Sequence, residues 1–474
     1  MTTDLLLLSQ EELSPFYSAV NSYFLEPLLA PPALPLEKFS AAPPLGLTLL
    51  AAAARAQGLR AVPLPNFFSR EKEKALLLAE LEKRPFAAGI STTHSFSPAL
   101  PRAAAELVKK ISPGTHLIVG GPGAEWHPEL RPEGAWTVFG PGEESLPALL
   151  AALKEGRDPG SIPGVARPGA AAPEVPAAPP PIAAQPLPDW GLYPSVPAGV
   201  AVQGSRGCPR ACGFCSYSAP YEARSAAAVL AEIRNNSERY GIRRFRFTDS
   251  DLACDPARAL ELCRGLEGGG FSWTCFARAD TLLRPGLAAA MRRAGCLWVF
   301  IGAESGSDGL LRAMDKGCGV RELRAGVAAA RAAGLGVHGN FVVGYPGETR
   351  ATLAETAAFA RSAGFDTVYF SPFQPRSPGV PALKRRQGGL EARPDGWRHA
   401  TMTSAEALAS AAELQLSFAA DPAAPLPGSE ALFLLFADVP AEKFREAATE
   451  FFGAFRRWHA GDRAAARRTL EKYL

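Results

Sequence analysis

What this 474-residue chain has little of narrows it first. Charge of one sign is scarce: 50 Lys and Arg against 47 Asp and Glu leave a formal net charge of +3. That is too small to point to nucleic acid or an anionic membrane as partner. No run of 18 apolar residues occurs, and the greasiest stretch, Leu45 to Ala54, is broken by Gly46 and Thr48; no membrane-spanning helix is expected. The opening MTTDLLLLSQEE has no basic stretch before its apolar run and acids directly after it, unlike a signal peptide, so the expected location is the cytoplasm. Eight cysteines in this length fall far below the density of a disulfide-stapled secreted fold. Cys254, Cys263, Cys275, Cys296 and Cys318 each stand alone and read as small core residues.

The other three do not stand alone. Cys208, Cys212 and Cys215 form C-x-x-x-C-x-x-C in GSRGCPRACGFCSY. Three thiolates this close can reach three corners of a cubane iron–sulfur cluster and leave the fourth iron without a protein ligand. An open metal position is where a small molecule binds and reacts, whereas a structural site closes its coordination sphere. The set is one cysteine short of a zinc knuckle, and the flanking histidines, His127 and His338, are far along the chain.

Around the triplet the chain divides into two alternating stretches. In residues 1–155, strands are expected at Leu5–Leu8, Leu59–Leu64, Ala87–Thr92, His116–Val119 and Trp136–Phe139. Helices are expected at Leu45–Gln57, Glu71–Lys83, Ala99–Ile111 and Glu143–Lys154, with a further one around Pro15–Leu28. Strand–helix alternation implies a parallel sheet covered on both faces, with ligands at the carboxyl ends of the strands. Residues 156–198, rich in Pro and Ala, read as an extended surface linker. In residues 199–400, apolar runs at Val200–Gln203, Phe245–Thr248, Phe271–Ala277, Leu297–Gly302, Val337–Val343 and Thr367–Phe370 fit six strand–helix units of a partial (βα) barrel, with the triplet just after its first strand. Residues 401–474 read as mostly helical, with a Pro/Gly break near Pro422 to Gly428 and no legible motif.

Residues 200 to 380 resemble a radical S-adenosylmethionine (SAM) enzyme. The triplet loop with an aromatic, Phe214, before its last cysteine matches that superfamily's signature. FRFTDSDLA resembles its F-x-D-D stretch, with Asp249 matching, Ser250 departing and Asp251 as a substitute. CFARADTL resembles the segment that ends its strand in an arginine, here Arg278, which would balance the SAM carboxylate or sit in a structural ion pair. FIGAESGSDGLLRAMDKG is close to G-x-E-S-G-S-x-x-x-L-x-x-M-x-K-G, and NFVVGYPGET matches G-x-P-G-E-T; SPFQPRSPGV departs from the sixth-strand pattern at Arg376 and Val380. The resemblance implies a [4Fe-4S] cluster on Cys208, Cys212 and Cys215, with SAM on the open iron. Phe214, Asp249, Asp251, Arg278, Glu304, Asn340 and Gly344 would border SAM: Glu304 accepting the ribose hydroxyls, Gly344 admitting the adenine, and Glu348 opening the next helix.

The first 155 residues are similar to the domain that precedes the barrel in cobalamin-binding radical SAM proteins, through AAGISTTHS, HLIVGGPGAEWHPEL and VFGPGEESLPALL, together with PDW at Pro188–Trp190. The implied fold is a Rossmann-like, doubly wound α/β domain, then the partial (βα)6 barrel and a small helical C-terminal region. Ser91, Thr92, Gly120, Gly121, Gly142 and Glu143 would border the corrin and its tail. The D-x-H-x-x-G loop that gives cobalt a histidine in other cobalamin proteins is absent, and His94 and His127 read as ordinary loop histidines. The implied activity is SAM cleavage to a 5′-deoxyadenosyl radical and methylation of an unactivated carbon. Alternatives are cyclisation or rearrangement with the same cofactors, a B12-type domain without its cofactor, and a non-enzymatic redox or sensory centre. The implied partners are a small-molecule or peptide substrate and an external electron donor such as flavodoxin or ferredoxin, with neither nucleic acid nor membrane.

Overall fold

In the computed structural model, residues 3–10, 43–67, 71–95, 97–175, 177–217, 219–393, 396–421, 423–427 and 443–472 are described. The helix expected around Pro15–Leu28 lies outside them. The described residues separate into two compact units, residues 3–10 with 43–197, and residues 198–472.

The first unit is built on strands that are apolar end to end. β1 (Leu5–Ser9), β2 (Ala61–Pro65), β3 (Ala87–Ser91), β4 (His116–Gly120) and β5 (Trp136–Val138) form a parallel sheet in the order β2-β1-β3-β4-β5. Strand side chains alternate between faces. Leu5 and Leu7 therefore pack beneath α1 (Leu45–Ala56) and α4 (Gly142–Lys154), with Leu47, Ala51, Leu146 and Leu150. Leu6 and Leu8 meet α2 (Glu71–Glu82) and α3 (Ala99–Ile111) on the other face, through Leu77, Leu81, Ala104 and Val108. With both faces covered, a run of four leucines is wholly buried.

The Pro/Ala-rich stretch departs from the expected surface linker. It lies with the first unit, where β6 (Val165–Ala166) adds antiparallel to β5. Trp190 is fully buried, and the Tyr193 hydroxyl meets Thr48 Oγ1 at 2.7 Å. Proline prevents a regular ladder, but single apolar and aromatic residues between prolines still anchor the chain to an existing core.

In the second unit, β7 (Val200–Val202), β8 (Arg244–Phe247), β9 (Ser272–Phe276), β10 (Cys296–Glu304), β11 (Gly336–Val343) and β12 (Thr367–Pro372) pair in parallel in chain order. A two-residue strand, β13 (Leu426–Pro427), extends the edge beyond β12; it lies within the Pro/Gly break of the C-terminal region. The crossovers include α5 (Ala226–Tyr240), α6 (Pro256–Leu266), α7 (Val320–Ala332) and α8 (Arg350–Ser362), followed by α9 (Ser404–Ala420). Ser225, Asp255, Thr349 and Thr403 cap α5, α6, α8 and α9 with side-chain oxygens, each satisfying helix N–H groups that have no carbonyl partner. A small antiparallel sheet, Glu391–Arg393, Gly396–His399 and Met402–Thr403, precedes α9.

Candidate functional site

The cysteine loop leaves the second unit's sheet at the carboxyl end of β7, where barrel chemistry belongs. Its middle is fixed by backbone. The Gly213 N–H donates to the Met314 carbonyl at 2.8 Å, and its carbonyl accepts from the Ala382 N–H at 2.9 Å. The Cys215 N–H returns to the Cys212 carbonyl at 3.1 Å, and the Tyr217 N–H reaches Cys215 Sγ at 3.3 Å. Burial pushes the Cys212 and Cys215 thiols up, and the Lys316 and Arg278 cations oppose this at Cys212. Among the described residues no group of three or more His, Cys, Asp or Glu is set to hold a single metal ion. A cubane differs in that each thiolate binds its own iron, so its ligands need not converge on one point.

Glu304 ends β10 beside this loop. Its φ is +63°, a left-handed backbone uncommon for a residue with a Cβ, and the β10–β11 register shifts between Gly302 and Glu304. Its carboxylate is buried and accepts from Lys316 Nζ at 2.9 Å. Such strain, held where a strand meets a site, is a mark of function. Phe214 lies under the Lys316 ammonium, with Nζ 5.9 Å from the ring centroid. Asp251 is buried after β8. Its Oδ1 accepts from the N–H groups of Ala253 and Arg278, while its Oδ2 has no hydrogen-bond partner among the described residues, and burial pushes its carboxyl up. Asn340, half-buried on β11, meets His338 Nε2 through Oδ1 at 3.2 Å; the other ring nitrogen of His338 meets Thr367 Oγ1 at 2.8 Å.

Three expected SAM contacts are occupied within the fold. Asp249 is fully buried: its Oδ2 accepts from the Gly204 N–H at 2.9 Å, its Oδ1 from Ser205 Oγ at 2.8 Å, and Arg258 lies 3.5 Å away. It anchors the chain leaving β7. The Arg278 guanidinium grips Asp280 at 2.8 and 3.1 Å and donates to the Lys316 carbonyl at 2.6 Å, which is the structural ion pair. Gly344 has φ +88°, and a Cβ there would stand 2.4 Å from Ala407 Cβ and 3.1 Å from Trp397; its glycine is required by the small C-terminal sheet and α9. Glu348 lies two residues before α8 rather than opening it, with Thr349 as the cap between. It is buried, Oε2 accepting from the Gly344 N–H at 3.3 Å and Oε1 from the Thr352 hydroxyl, and burial pushes its carboxyl up to about 7.

The first unit holds a cavity of about 290 Å³ at the carboxyl ends of β1, β3, β4 and β5. Ser91, Gly120, Gly121, Gly142 and Glu143 line it, as do Thr93 and His94, which sequence reasoning left without a role there. Thr92 does not: it is fully buried, its hydroxyl donating to the Gly120 carbonyl at 2.8 Å and accepting from the Ala124 N–H at 2.7 Å. Thr92, the first residue past β3, is turned inward, whereas its neighbours Ser91 and Thr93 face the crevice. His127 is exposed and pairs with Glu129 at 3.5 Å. The lining glycines leave a smooth wall, since a Cβ at Gly120 would stand 3.2 Å from the Val138 carbonyl and one at Gly142 3.0 Å from Leu50.

Comparison with known proteins gives these two sites a family. The radical SAM superfamily matches residues 202–360, and the B12 binding domain matches residues 39–150. The barrel of the second unit thus matches the radical SAM superfamily, and a match to the B12 binding domain precedes it in the chain. Its curated relatives include an uncharacterised methyltransferase of Pyrococcus horikoshii, 31% identical over 56% of this chain and 62% of that one. Others are an anaerobic magnesium-protoporphyrin IX monomethyl ester cyclase of Rubrivivax gelatinosus (27%, 59% and 55%) and a bacteriochlorophyllide d C-12(1)-methyltransferase of Chlorobaculum tepidum (28%, 38% and 41%). The chain thus spans less than two thirds of the length of each. Among solved structures, the radical S-adenosylmethionine methyltransferase TsrM of Kitasatospora setae, with cobalamin and a [4Fe-4S] cluster bound, aligns over 99% of both chains with a TM-score of 0.66 at 17% identity. The cobalamin-dependent radical enzyme OxsB aligns over 81% of this chain and 55% of that one, with a TM-score of 0.60 at 16% identity. At such identities the likeness is one of fold.

The groups this domain pair takes are a [4Fe-4S] cluster, SAM and cobalamin. The residues present suit them: three cysteines on one fixed loop, a buried carboxylate oxygen at Asp251 without a hydrogen-bond partner among the described residues, and a crevice walled by glycine. No helix among the described residues is long and apolar enough to cross a membrane.

Proposed function

We propose that the chain is a cobalamin-dependent radical SAM methyltransferase acting on an unactivated carbon of a small-molecule or peptide substrate. The observation that carries this reading is the cysteine loop after β7, pinned at Gly213 and flanked by the strained Glu304 and its Lys316 partner. Cys208, Cys212 and Cys215 hold three irons of a cluster. Glu304 accepts the ribose hydroxyls of SAM, because a carboxylate can take two O–H bonds at once. Phe214 lines the adenine side, and Asp251 and Asn340 offer polar atoms nearby. Asp249, Arg278 and Gly344 hold this arrangement from behind. In the first unit, Ser91, Gly120, Gly121, Gly142 and Glu143, joined by Thr93 and His94, cradle cobalamin, with Thr92 bracing the loop. When bound, the cluster and SAM supply a carbon-centred radical and cobalamin carries the methyl group. The protein positions these groups and keeps solvent from them. An external one-electron donor such as flavodoxin or ferredoxin is the expected partner, and the cytoplasm the expected location.

Cyclisation or another rearrangement with the same cofactors is the second reading, favoured by the presence of a cyclase among the relatives. Anaerobically reconstituted protein given SAM and dithionite is expected to form 5′-deoxyadenosine. Cys208→Ala, Cys212→Ala and Cys215→Ala are each expected to lose it, and undiminished product would overturn the site. With substrate, S-adenosylhomocysteine rising in step with 5′-deoxyadenosine supports methyl transfer; 5′-deoxyadenosine alone supports the second reading.

A further inference from the structure

Lys316 is buried beside the cysteine loop with most of its hydrogen-bonding capacity unused. Its side chain is 6% exposed, and its ammonium, which carries three donors, meets Glu304 Oε1 at 2.9 Å. No second hydrogen-bond or ion-pair partner reaches it among the described residues. Burying an ammonium is costly unless its charge is answered, so a cation kept here needs a reason. The surroundings are built for it. A Cβ on Gly302 would stand 3.1 Å from Nζ and 2.2 Å from Glu304 Oε1, so β10 requires glycine at the point where the pair lies against it. The Lys316 carbonyl is held by Arg278 at 2.6 Å. Two residues earlier, the Met314 carbonyl takes the Gly213 N–H at 2.8 Å, between Cys212 and Phe214. The lysine segment and the cysteine loop are therefore joined backbone to backbone, and the ammonium lies 5.9 Å from the Phe214 ring.

We propose that Lys316 tunes the redox potential of the cluster: its positive charge, seated by Glu304, stabilises the reduced state and raises the midpoint of the cluster on Cys208, Cys212 and Cys215. The proposal rests on the reading of the triplet as a cluster site. The step concerned is the uptake of one electron from an external reductant, taking the [4Fe-4S] core from 2+ to 1+ with no bond made or broken. A fixed charge beside a buried centre acts through a low effective dielectric and is little screened by salt, and net charge around a cluster is among the determinants of its potential.

The test is a dithionite titration of the reconstituted full chain without SAM, followed by electron paramagnetic resonance. Lys316→Met is expected to shift the midpoint to more negative values, so that the reduced fraction at the wild-type midpoint falls several-fold. Glu304→Gln removes the counter-charge and is expected to shift it the other way, while Lys316→Arg stays near wild type. Loosening of the loop by itself would not give shifts of opposite sign at matched iron content. Unchanged midpoints, or shifts of the same sign in Lys316→Met and Glu304→Gln, would overturn the proposal. If Lys316→Met takes up no iron, Glu304→Gln and Lys316→Arg still decide it, since a midpoint not raised in the first, or lowered in the second, sinks it. A wild-type chain that assembles no cluster would instead refute the cluster reading itself.

Discussion

At Gly213 one added methyl group tests how the cysteine loop is held. Its Cβ would stand 2.2 Å from the Tyr345 hydroxyl, and that hydroxyl is tied to the Ala313 carbonyl at 3.2 Å and Gln387 Oε1 at 2.8 Å. Gly213→Ala is expected to cost about 1–3 kcal/mol through overpacking and to lower the iron bound per chain after reconstitution. Adding Tyr345→Phe removes the oxygen in the way, so the double variant should regain iron; no recovery would count against this clash. Glu348 gives a second test. Its carboxyl is raised from an ordinary 4.5 to about 7 by burial, so the folded chain holds this proton more tightly than the unfolded one. The stability it contributes is therefore complete below about pH 4.5 and is lost as pH climbs through 7, a swing on the order of 3 kcal/mol. Thermal unfolding at pH 5 and pH 8 should show a smaller difference for Glu348→Gln than for the wild type.

The elements that could be read from sequence are those with a local signal, an unbroken apolar run or a fixed spacing. The four leucines of β1 and the apolar runs of β7 to β12 declare buried parallel strands, and the C-x-x-x-C-x-x-C spacing declares its loop. What escaped is set by tertiary packing. Nothing in FRFTDSDLA says that Asp249 turns down onto Gly204 and Ser205 while Asp251 keeps an oxygen without a hydrogen bond among the described residues. In the small sheet of residues 391–393, 396–399 and 402–403 only the middle strand alternates: Glu391, Ala392 and Arg393 are all exposed, whereas Trp397 and His399 are buried and, with Met402, hold the sheet to the barrel, Trp397 being the largest of them. That indole donates to the Phe373 carbonyl at 2.9 Å, stacks on His399 and covers Gly344. Trp397→Ala is expected to destabilise the second unit by about 3–5 kcal/mol, read as a lowered melting temperature. Weaker SAM-induced change in the cluster's resonance signal should accompany it, since Gly344 and the adjoining Tyr345 lose their backing.

At the scale of the whole molecule, each unit has its own sheet, core and site. The B12-type cavity is lined wholly by residues of the first unit, and the cysteine loop with Glu304 and Lys316 lies wholly in the second. Two cofactors held by separately cored units should be separable by substitution. Gly46 borders the cavity, and a Cβ there meets nothing within 4 Å. Gly46→Trp therefore adds bulk at the proposed corrin site without forcing the fold, and is expected to reduce retained corrinoid, read from the visible spectrum after gel filtration, while iron content and 5′-deoxyadenosine formation persist. The triple variant Cys208→Ala/Cys212→Ala/Cys215→Ala should do the reverse, losing iron and 5′-deoxyadenosine but keeping corrinoid. Parallel loss of both cofactors in both variants would mean that neither site forms without the other. The division into two self-contained sites would then be wrong, however distinct their cores.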